Sequence, residues 1–510
     1  MLKKGCSLNL VWFKNDLRIF DHRPLWEASH EPCIALYIIE PLWLDDIHTG
    51  LFHKIFLREC LLDLKSYLKQ KNIPLLVLQG EAKDVLAQVI HNHNIKKVYS
   101  HQQTGLYWSF KRDLKVKAFL EDQEIPWIEY KQFAVVRKLK NRDTWNKRRD
   151  EIIARELYPE PKKQKRQIDL EKSFFDIEAL GERKNESIQF GGRKAAVKTL
   201  NSFLERRGRF YYRDLSSPLT AADSCSRLSP YISFGCLSLS EINQAIRKAG
   251  SLDDFHWKRS LKAFESRIWW HCHFIQKLES EPEIEFENVN PGFNGMREND
   301  FNSEYFKAWS QGQTGFPMID ACMRSLRETG WINFRMRALL VSFASYQLWL
   351  HWKPLSDFLA PYFLDFEPGI HFSQLQMQSG VTGINTIRMY SPIKQSLDQD
   401  PKGEFIRRWV PELSRLDDQS IHAPFDAPVM FLTMSGVELG RDYPFPIVDP
   451  KKSYDEAKEK IYAWRKSPQV TQFASGIIQK HASRKNKFFP IQHRKSFGNL
   501  DCHNYPKDEE

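Results

Sequence analysis

Residues 7–22 read SLNLVWFKNDLRIFDH, and the apolar run at their start is the first strand that the sequence predicts. Four more runs rich in strand formers follow: CIALYIIE at 33–40, PLLVLQ at 74–79, IKKVYS at 95–100 and PWIEY at 126–130. Between them, residues 53–70 and 85–90 carry apolar side chains at helical spacing. Strands that alternate with helices of this length predict a parallel sheet with right-handed crossovers.

The loop after the first strand decides which kind of α/β domain this is. It contains neither GxGxxG nor GxxxxGK[ST], so ordinary dinucleotide and P-loop sites lose their main support. Residues 11–28, VWFKNDLRIFDHRPLWEA, instead resemble the VWFRRDLRxxDNxAL opening of photolyases and cryptochromes. The resemblance implies a second, antenna chromophore in this domain, either a folate or a deazaflavin-like molecule. Leu106 stands near the place of the Glu that holds folate in some members, so the identity of the antenna stays open.

Composition narrows the class of protein. A chain of 510 residues exceeds what one hydrophobic core usually organises, so we expect two domains. The net charge of +11 favours a polyanionic partner without distinguishing DNA, RNA or a membrane surface. No segment is apolar enough to span a bilayer, and polar residues such as Asn9 interrupt the N-terminal run, which argues against a secretory signal. Eight cysteines scattered singly favour a reduced, cytoplasmic protein without a metal site.

The C-terminal two-thirds of the chain has a helical pattern. Apolar residues recur at helical spacing in 194–206, 238–248, 258–278, 317–328 and 335–350. The fold class is therefore α/β plus all-α: an N-terminal parallel-sheet domain followed by a larger all-helical domain. The expected boundaries are 1–133 for the α/β antenna domain, 134–193 for a basic interdomain connection, 194–480 for the helical FAD-binding domain and 481–510 for a loose tail. The connection reads as a solvated crossing, with a phosphate-contacting surface as the alternative.

The first helical-domain motif is SCSRLSPYISFG at 224–235, which resembles the TSRLSPYLxxG segment that wraps the FAD diphosphate in the family. Backbone N–H groups and hydroxyls near a helix start favour such an anion site, although a bare SRLS is usually an ordinary N-cap. The residues that the resemblance implies for the cofactor are Tyr212, Cys225, Ser226, Arg227, Leu228 and Ser229. A thiol replaces the usual Thr at Cys225, which weakens one hydroxyl contact.

Further motifs follow in the family's order. They are TGFPMIDACMRSL at 314–326, TGWINFRMRALLVSF at 329–343, LDFEPG at 364–369, DPKGEFIRRWVPEL at 400–413, IHAP at 421–424 and YPFPIVD at 443–449. The resemblance thus runs from about residue 8 to about residue 465. It implies a salt bridge between Arg337 and Asp365 under the isoalloxazine, with Glu367 as the second acid and Arg335 beside DNA. A cation near the flavin N1 region stabilises an anionic reduced flavin.

The electron relay departs from the family. Common photolyases pass an electron along three tryptophans, of which Trp352 keeps the middle place, while Leu375 takes the flavin-proximal place and Asn299 the surface place. Aliphatic and amide side chains cannot carry an electron hole, so the relay is broken. The candidate substitutes are Trp331, Trp349, Tyr346 and Tyr390, and the sequence selects none of them.

The lesion pocket departs too. GIHFSQLQMQSG at 369–380 replaces the usual segment, so that His371 aligns with the asparagine facing flavin N5 and Met377 with one aromatic wall. Trp269 keeps the other, lesion-stacking wall. His271, Cys272 and His273 follow it, but adjacent residues point around a helix rather than toward one ion, so we expect no metal. Asn333 and Phe334 stand where (6-4) enzymes have their histidine pair, which favours cyclobutane dimers as the substrate.

The resemblance therefore implies an enzyme, a deoxyribodipyrimidine photo-lyase. In it, reduced FAD absorbs blue light and passes an electron to a pyrimidine dimer in UV-damaged DNA, which then splits and returns the electron. Trp352 and Trp269 are its candidate catalytic side chains. The first alternative is a cryptochrome-type photoreceptor without repair, and the second is a nucleic-acid-binding flavoprotein that lacks light chemistry. We expect a monomer, although composition carries no information on oligomeric state.

Overall fold

The computed structural model describes residues 7–139, 141–165, 168, 175–183, 185–250 and 254–482. Its first part is a five-stranded parallel sheet in the order β3-β2-β1-β4-β5. The strands are β1 Leu8–Phe13, β2 Cys33–Ile39, β3 Leu75–Gln79, β4 Ile95–His101 and β5 Trp127–Tyr130. Each predicted run is a strand, and the α/β fold is confirmed.

Helices cover both faces of the sheet. The helices of this part are α1 Arg23–Ala28, α2 Pro41–Asp45, α3 Leu51–Gln70, α4 Ala82–Asn92, α5 Tyr107–Asp122 and α6 Trp145–Ala154. Leu10 and Leu36 face a core that includes side chains of α4 and α5. Val11 and Ala35 point to the opposite face, where the core continues through α3 into the helical domain. Burial on both faces explains why the strands are apolar throughout rather than alternating.

The second part is helical, as predicted. Its helices are α7 Arg193–Glu205, α8 Tyr211–Asp214, α9 Pro218–Ser224, α10 Ser229–Ser233, α11 Leu239–Ala249, α12 Phe255–Ser280, α13 Ser303–Gln311, α14 Pro317–Thr329, α15 Phe334–Ser342, α16 Trp352–Leu359, α17 Pro368–Gln378, α18 Pro392–Gln399, α19 Glu404–Trp409, α20 Val429–Met434, α21 Pro450–Lys466 and α22 Pro468–His481. Among the described residues, no helix has the length and apolar character that crossing a membrane requires.

One predicted helix is wrong in its extent. The sequence predicts a single helix over 335–350, but α15 ends at Ser342 and continues as a π-helical turn, Phe343–Gln347. Trp349 then has a left-handed backbone with φ of 53°, which no α-helix can include. This turn places the Trp349 ring 4.4 Å from the Arg297 guanidinium, a cation–π contact that the apolar spacing could not reveal.

The basic connection contains a helix that the weak apolar pattern did not predict. Helix α6 lies within it and buries Trp145 and Ile153. Of the basic residues in this stretch, Lys140, Arg166, Lys172 and Lys184 lie outside the described residues, as do residues 483–510 of the expected tail.

The loop after β1 docks the sheet onto the helical domain. The Leu17 N–H donates to the Phe234 carbonyl at 3.1 Å, and Arg18 Nη1 donates to the Gly235 carbonyl at 2.9 Å. Gly235 has φ of 69°, and a Cβ there would lie 2.2 Å from the Asn15 carbonyl oxygen. The opening motif therefore meets the SCSRLSPYISFG motif directly, and only glycine fits at that crossing.

Candidate functional site

The helical domain holds a pocket with about 550 Å³ of empty space, part of it open to solvent, between α15, the turn at 363–367 and α17. We call it the helical-domain cavity. It is lined by Phe334, Arg337, Ala338, Val341, Phe363, Asp365, Phe366, Glu367, Ile370, His371, Gln374, Leu375 and Gln378. Apolar side chains form most of this wall, with a few polar groups converging on it, as is typical of cofactor sites.

The ion pair expected in this wall is present. Arg337 Nη2 donates to Asp365 Oδ2 at 3.0 Å, and Arg337 Nε donates to the Ile332 carbonyl at 2.9 Å. Burial alone would raise the pKa of Asp365, but the Arg337 charge and hydrogen bonds from Arg337 and Ser229 hold that pKa below its ordinary value. Asp365 is therefore a carboxylate, and it gives the cavity one fixed charge pair.

Two more titratable side chains line the same cavity. His371 Nε2 lies 3.0 Å from the Ser356 carbonyl, and this contact makes Nε2 the protonated nitrogen. Burial lowers the pKa of His371 to about 3, so the ring is neutral. Burial raises the pKa of Glu367 to about 8, against the opposing effect of the Gly369 N–H. Among the described residues, neither Asp365 Oδ1 nor Glu367 Oε1 has a hydrogen-bond partner.

These unpartnered oxygens test whether the cavity fits a flavin. A buried carboxyl oxygen is normally hydrogen-bonded, so two such oxygens on one cavity wall call for a polar ligand: the ionised Asp365 needs an N–H or O–H donor, whereas the protonated Glu367 can itself donate to an acceptor. The pyrimidine edge of an isoalloxazine offers both an N–H donor and carbonyl acceptors. Arg337 can meet those acceptors, and the apolar wall can meet the ring faces. The residues present fit the group.

The SCSRLSPYISFG segment adjoins this cavity at one point. Ser229 reaches Asp365, whereas the cavity lining given above includes neither Tyr212 nor the residues from Cys225 to Leu228. Tyr212 instead stacks on His256, with its hydroxyl 3.1 Å from His256 Nδ1. The expected diphosphate site along this segment thus stays a prediction.

The segment is held by residues that sequence reasoning missed. Arg207 donates to the carbonyls of Asp223, Cys225 and Ser226. Gln189 brackets Arg227, which has φ of 60° and lies 3.9 Å from the Trp331 ring. The sequence does not indicate that Arg207 holds this segment, because its hydrogen-bond partners are backbone carbonyls, which every residue carries. Burial raises the pKa of the Cys225 thiol to about 12, so it is a neutral thiol.

The predicted lesion and relay residues lie in different surroundings. Trp269 is 8 % exposed, stacks on His273 at 5.2 Å and meets the Trp145 ring edge-on at 5.8 Å. Trp352 is fully buried, and its Nε1 donates to Asn288 Oδ1 at 2.7 Å. Their catalytic roles stay predictions.

Two residues predicted to meet DNA lie on α15 and α17. Arg335 donates to Gln395 Oε1 at 3.3 Å, and Met377 is half-buried on α17 and is not among the residues that line the helical-domain cavity. No strong contact among the described residues accounts for either Arg335 or Met377, and their DNA roles stay predictions.

A larger cavity, of about 920 Å³, lies at the carboxyl ends of β1, β2 and β4. We call it the α/β-domain cavity. It lies where the strand order reverses between β1 and β4, the usual place for a ligand in such sheets. Its aromatic lining includes Trp12, Trp43 and Trp108, and Leu106 also faces it. Its charges are internally paired: Lys14 lies 3.0 Å from Asp113, and Arg112 binds both Asp113 and Glu40.

The two cavities share one wall. Phe366, Glu367 and Pro368 line the α/β-domain cavity, and the first two also line the helical-domain cavity. The Phe366 ring lies parallel to His48 at 5.6 Å and meets His371 edge-on at 5.1 Å. A single turn of chain therefore separates the two spaces.

A buried cluster of Asp16, His22 and His101 has ligand atoms close enough for a metal ion. Asp16 Oδ2 lies 2.9 Å from His22 Nε2 and 2.7 Å from His101 Nδ1. However, His22 Nδ1 accepts from the Leu25 N–H, which makes Nε2 the protonated nitrogen and leaves it no lone pair for a metal. The cluster is a hydrogen-bond network that supports the docking loop.

Comparison with known proteins adds independent evidence. Residues 9–141 match the family described as DNA photolyase, and residues 264–463 match the FAD binding domain of DNA photolyase. The chain is 28% identical to the cryptochrome DASH of Gloeobacter violaceus, over 89% of this chain and 96% of that protein. It is 27% identical to the deoxyribodipyrimidine photo-lyase of Agrobacterium fabrum, over 90% of this chain and 98% of that protein.

Solved structures agree on the fold. A bacterial class III photolyase from Agrobacterium tumefaciens superposes with a TM-score of 0.81 at 25% identity, covering 91% of this chain and 98% of that one. A cryptochrome from Synechocystis superposes with a TM-score of 0.79 at 24% identity, covering 89% of this chain and 99% of that one. The proteins that this chain resembles thus include both photolyases and cryptochromes.

Proposed function

Because this chain belongs to the photolyase/cryptochrome family, we propose that it is a DNA photolyase that uses FAD and light to split cyclobutane pyrimidine dimers. The observation that carries the proposal is the wall of the helical-domain cavity. There the Arg337–Asp365 pair and two unpartnered carboxyl oxygens present a polar edge inside an apolar enclosure. When bound, reduced FAD supplies the light-driven electron that splits the dimer.

The side chains of the helical-domain cavity bind the flavin, orient it and exclude water from it. Arg337 places positive charge at one edge of the cavity, and Asp365 holds that guanidinium in position through their hydrogen bond. Phe363, Val341 and Leu375 present apolar surface that excludes water from the ring faces. Exclusion of water strengthens the Arg337 charge toward an anionic ring, since solvent no longer screens it.

On the DNA side, we propose that Arg335 contacts phosphate while Trp269 and Met377 border the flipped lesion. The net charge of +11 supports attraction to a phosphate backbone, which would make binding fall with salt. A damaged pair is already weakened, so flipping it out of the stack costs less than for an intact pair.

We propose that the α/β-domain cavity takes the second, antenna chromophore. Its tryptophans offer flat faces for a planar ring, and the internal pairing of its charges favours a ligand core without net charge. The free thiols among the described cysteines support a reducing, cytoplasmic setting, and we propose a monomer there.

A cryptochrome-type photoreceptor is the second candidate. The burial of Trp269 against Trp145 and His273 favours it, because a ring held this way must be released before it can stack on a lesion. The relay interrupted at Leu375 and Asn299 favours it as well.

The deciding experiment is repair itself. The purified flavoprotein is reduced chemically, which bypasses the interrupted relay, and illuminated with an oligonucleotide that carries one cyclobutane thymine dimer. Light-dependent recovery of intact thymines, absent in the dark, is the expected result. Failure with flavin bound, repeated once with a (6-4) lesion, would reject repair and leave the photoreceptor.

A variant at Trp269 tests the predicted lesion-stacking wall. Trp269→Phe keeps an aromatic ring in the cluster and so spares the fold, but it offers less stacking surface. We expect weaker binding of dimer-containing DNA, by about tenfold or about 1.4 kcal/mol, with an unchanged flavin spectrum. Equal affinity for lesion DNA would reject the stacking role.

A further inference from the structure

Two acids in one turn, Asp365 and Glu367, have opposite surroundings. Asp365 is bonded to Arg337 and is ionised. Glu367 is the N-cap of α17, is 6 % exposed, and has no cationic partner among the ion pairs of the described residues. Burial raises its pKa to about 8, so it holds a proton at neutral pH. Two neighbouring acids of one turn therefore differ in protonation state at neutral pH: Asp365 is ionised and Glu367 is protonated.

Glu367 also occupies a special position. Its side chain lines both cavities, and its Oε1 lacks a partner among the described residues. The charged or titratable groups that share the two walls with it are Arg337, Asp365 and His371 on one side and Lys14, Tyr37, Glu40, His53 and Arg112 on the other. Burial raises the pKa of the Tyr37 phenol, which is therefore neutral, and the other four groups on the α/β side are engaged with other partners, so none of them neutralises Glu367.

Among the described residues of the helical-domain wall, no group other than Glu367 can give up a proton at neutral pH. Asp365 is already ionised. His371 is neutral, and its single N–H is committed to the Ser356 carbonyl. An arginine guanidinium keeps its proton in any protein setting. Of the two acids on this wall, Glu367 is therefore the one that still holds a proton.

We propose that Glu367 is the proton donor of the helical-domain cavity and that it regains its proton through the α/β-domain cavity. This inference rests on the proposed function, since the acceptor is the flavin ring bound beside it. A thiol in solution would give one electron to the bound ring and become a thiyl radical, releasing its proton to water. The Glu367 O–H bond would break as an N–H bond forms on the ring, and the resulting carboxylate would take up the released proton through the neighbouring cavity. The net change is the transfer of one hydrogen atom from the thiol to the ring, and Glu367 returns to its starting state.

The first test needs no flavin. The C=O stretch of a protonated carboxylic acid is resolved in infrared difference spectra between acid and alkaline samples. We expect a band that is lost as pH rises through about 8 in the wild type and that is missing in Glu367→Gln. The matched control is Glu279→Gln, which removes a buried acid hydrogen-bonded to Thr104 and should keep the band. A wild-type band lost at the ordinary pKa of a glutamic acid would overturn the proposal.

The second test uses the flavoprotein. On illumination with a thiol at neutral pH, the wild type should accumulate the protonated, neutral form of the one-electron-reduced flavin, which absorption distinguishes from the anionic form. In Glu367→Gln, formation of the neutral form should slow at least about tenfold, and Glu367→Asp should recover part of the rate. An unchanged rate in Glu367→Gln would overturn the proposal. A preparation that binds no flavin would contradict the proposed function and remove the acceptor, while the infrared titration still decides where the proton is held.

Discussion

The two cavities on either side of Phe366 and Glu367 satisfy their buried polar groups in opposite ways. In the α/β-domain cavity, Lys14, Arg112 and their carboxylates bond to one another. In the helical-domain cavity, Asp365 Oδ1 is left without a partner in the described part of the chain, as is Glu367 Oε1 on the wall that the two cavities share. Since native proteins rarely leave such groups unsatisfied, the charged side chains of the first cavity are satisfied without a ligand, whereas Asp365 in the second calls for one.

The largest expected effect comes from breaking the ion pair of the helical-domain cavity. Arg337→Ala leaves Asp365 buried without its counter-charge, which costs about 3–5 kcal/mol. It also removes the only cation that the described residues place on that wall, so FAD content after purification should fall at least about tenfold, or about 1.4 kcal/mol of binding free energy. The measurements are the ratio of flavin to protein and a urea unfolding curve.

The matched control is Arg327→Ala. That arginine also lies in the helical domain and bonds to a carbonyl, that of Ser310, but pairs with no buried acid. Its flavin content should equal that of the wild type. Equal flavin content in Arg337→Ala would contradict the assignment of the cavity.

Removing an arginine from the α/β-domain cavity should lower the stability of the protein without changing its flavin binding. Arg112→Ala leaves Glu40 without its counter-charge, while Asp113 keeps its pair with Lys14, and we expect a loss of about 3–5 kcal/mol from the α/β domain. The helical-domain cavity keeps all its groups, so flavin content should not change. A loss of flavin in Arg112→Ala would show that the two cavities are not independent.

Glu367→Gln should stabilise the protein at neutral pH. The pKa of Glu367 is about 8 in the fold, against an ordinary value of 4.5, so the folded state binds more proton than the unfolded state between these values. Its contribution is fully present below pH 4.5 and is lost as pH rises through 8. At neutral pH the loss approaches about 3 kcal/mol, and glutamine, which does not titrate, avoids it.

Urea unfolding of both proteins at about pH 5 and about pH 8 measures this difference. The wild type should lose stability between the two conditions relative to Glu367→Gln. Parallel pH profiles would mean that the carboxyl is ionised in the fold, and the contrast between Asp365 and Glu367 would then disappear.

Sequence reasoning reached the contacts that lie within recognisable patterns. The strands around β1, the run of helices and the Arg337–Asp365 pair all follow from apolar spacing or from the resemblance. It missed Arg207 and Gln189, whose partners are backbone groups with no sequence signal. It also missed the environment of Glu367, because an acidic residue in a sequence can be either an ion-paired carboxylate or a buried, protonated acid. Only packing distinguishes the two.

The smallest expected effect concerns the relay. Trp352 is buried beside Asn288, and the family resemblance predicts that Leu375, whose side chain lines the helical-domain cavity, takes the place between Trp352 and the flavin. Of the aromatic residues that could replace the missing members of the relay, Trp349 and Tyr346 are unfavourable sites for a positive hole. The Trp349 ring has Arg297 at 4.4 Å and Lys460 at 5.0 Å, and two cations oppose a third charge. Tyr346 Oη has no acceptor for its proton among the described residues.

Trp352→Phe should therefore change the rate of flavin photoreduction by less than about twofold, a difference of about 0.4 kcal/mol in the barrier. Phenylalanine fills most of the same space, so flavin binding is retained and the rate can be compared directly under one thiol concentration and one light intensity. A drop of about tenfold or more would mean that an electron crosses Leu375 after all. The helical-domain cavity would then be joined to the surface by an aromatic route that includes Trp352.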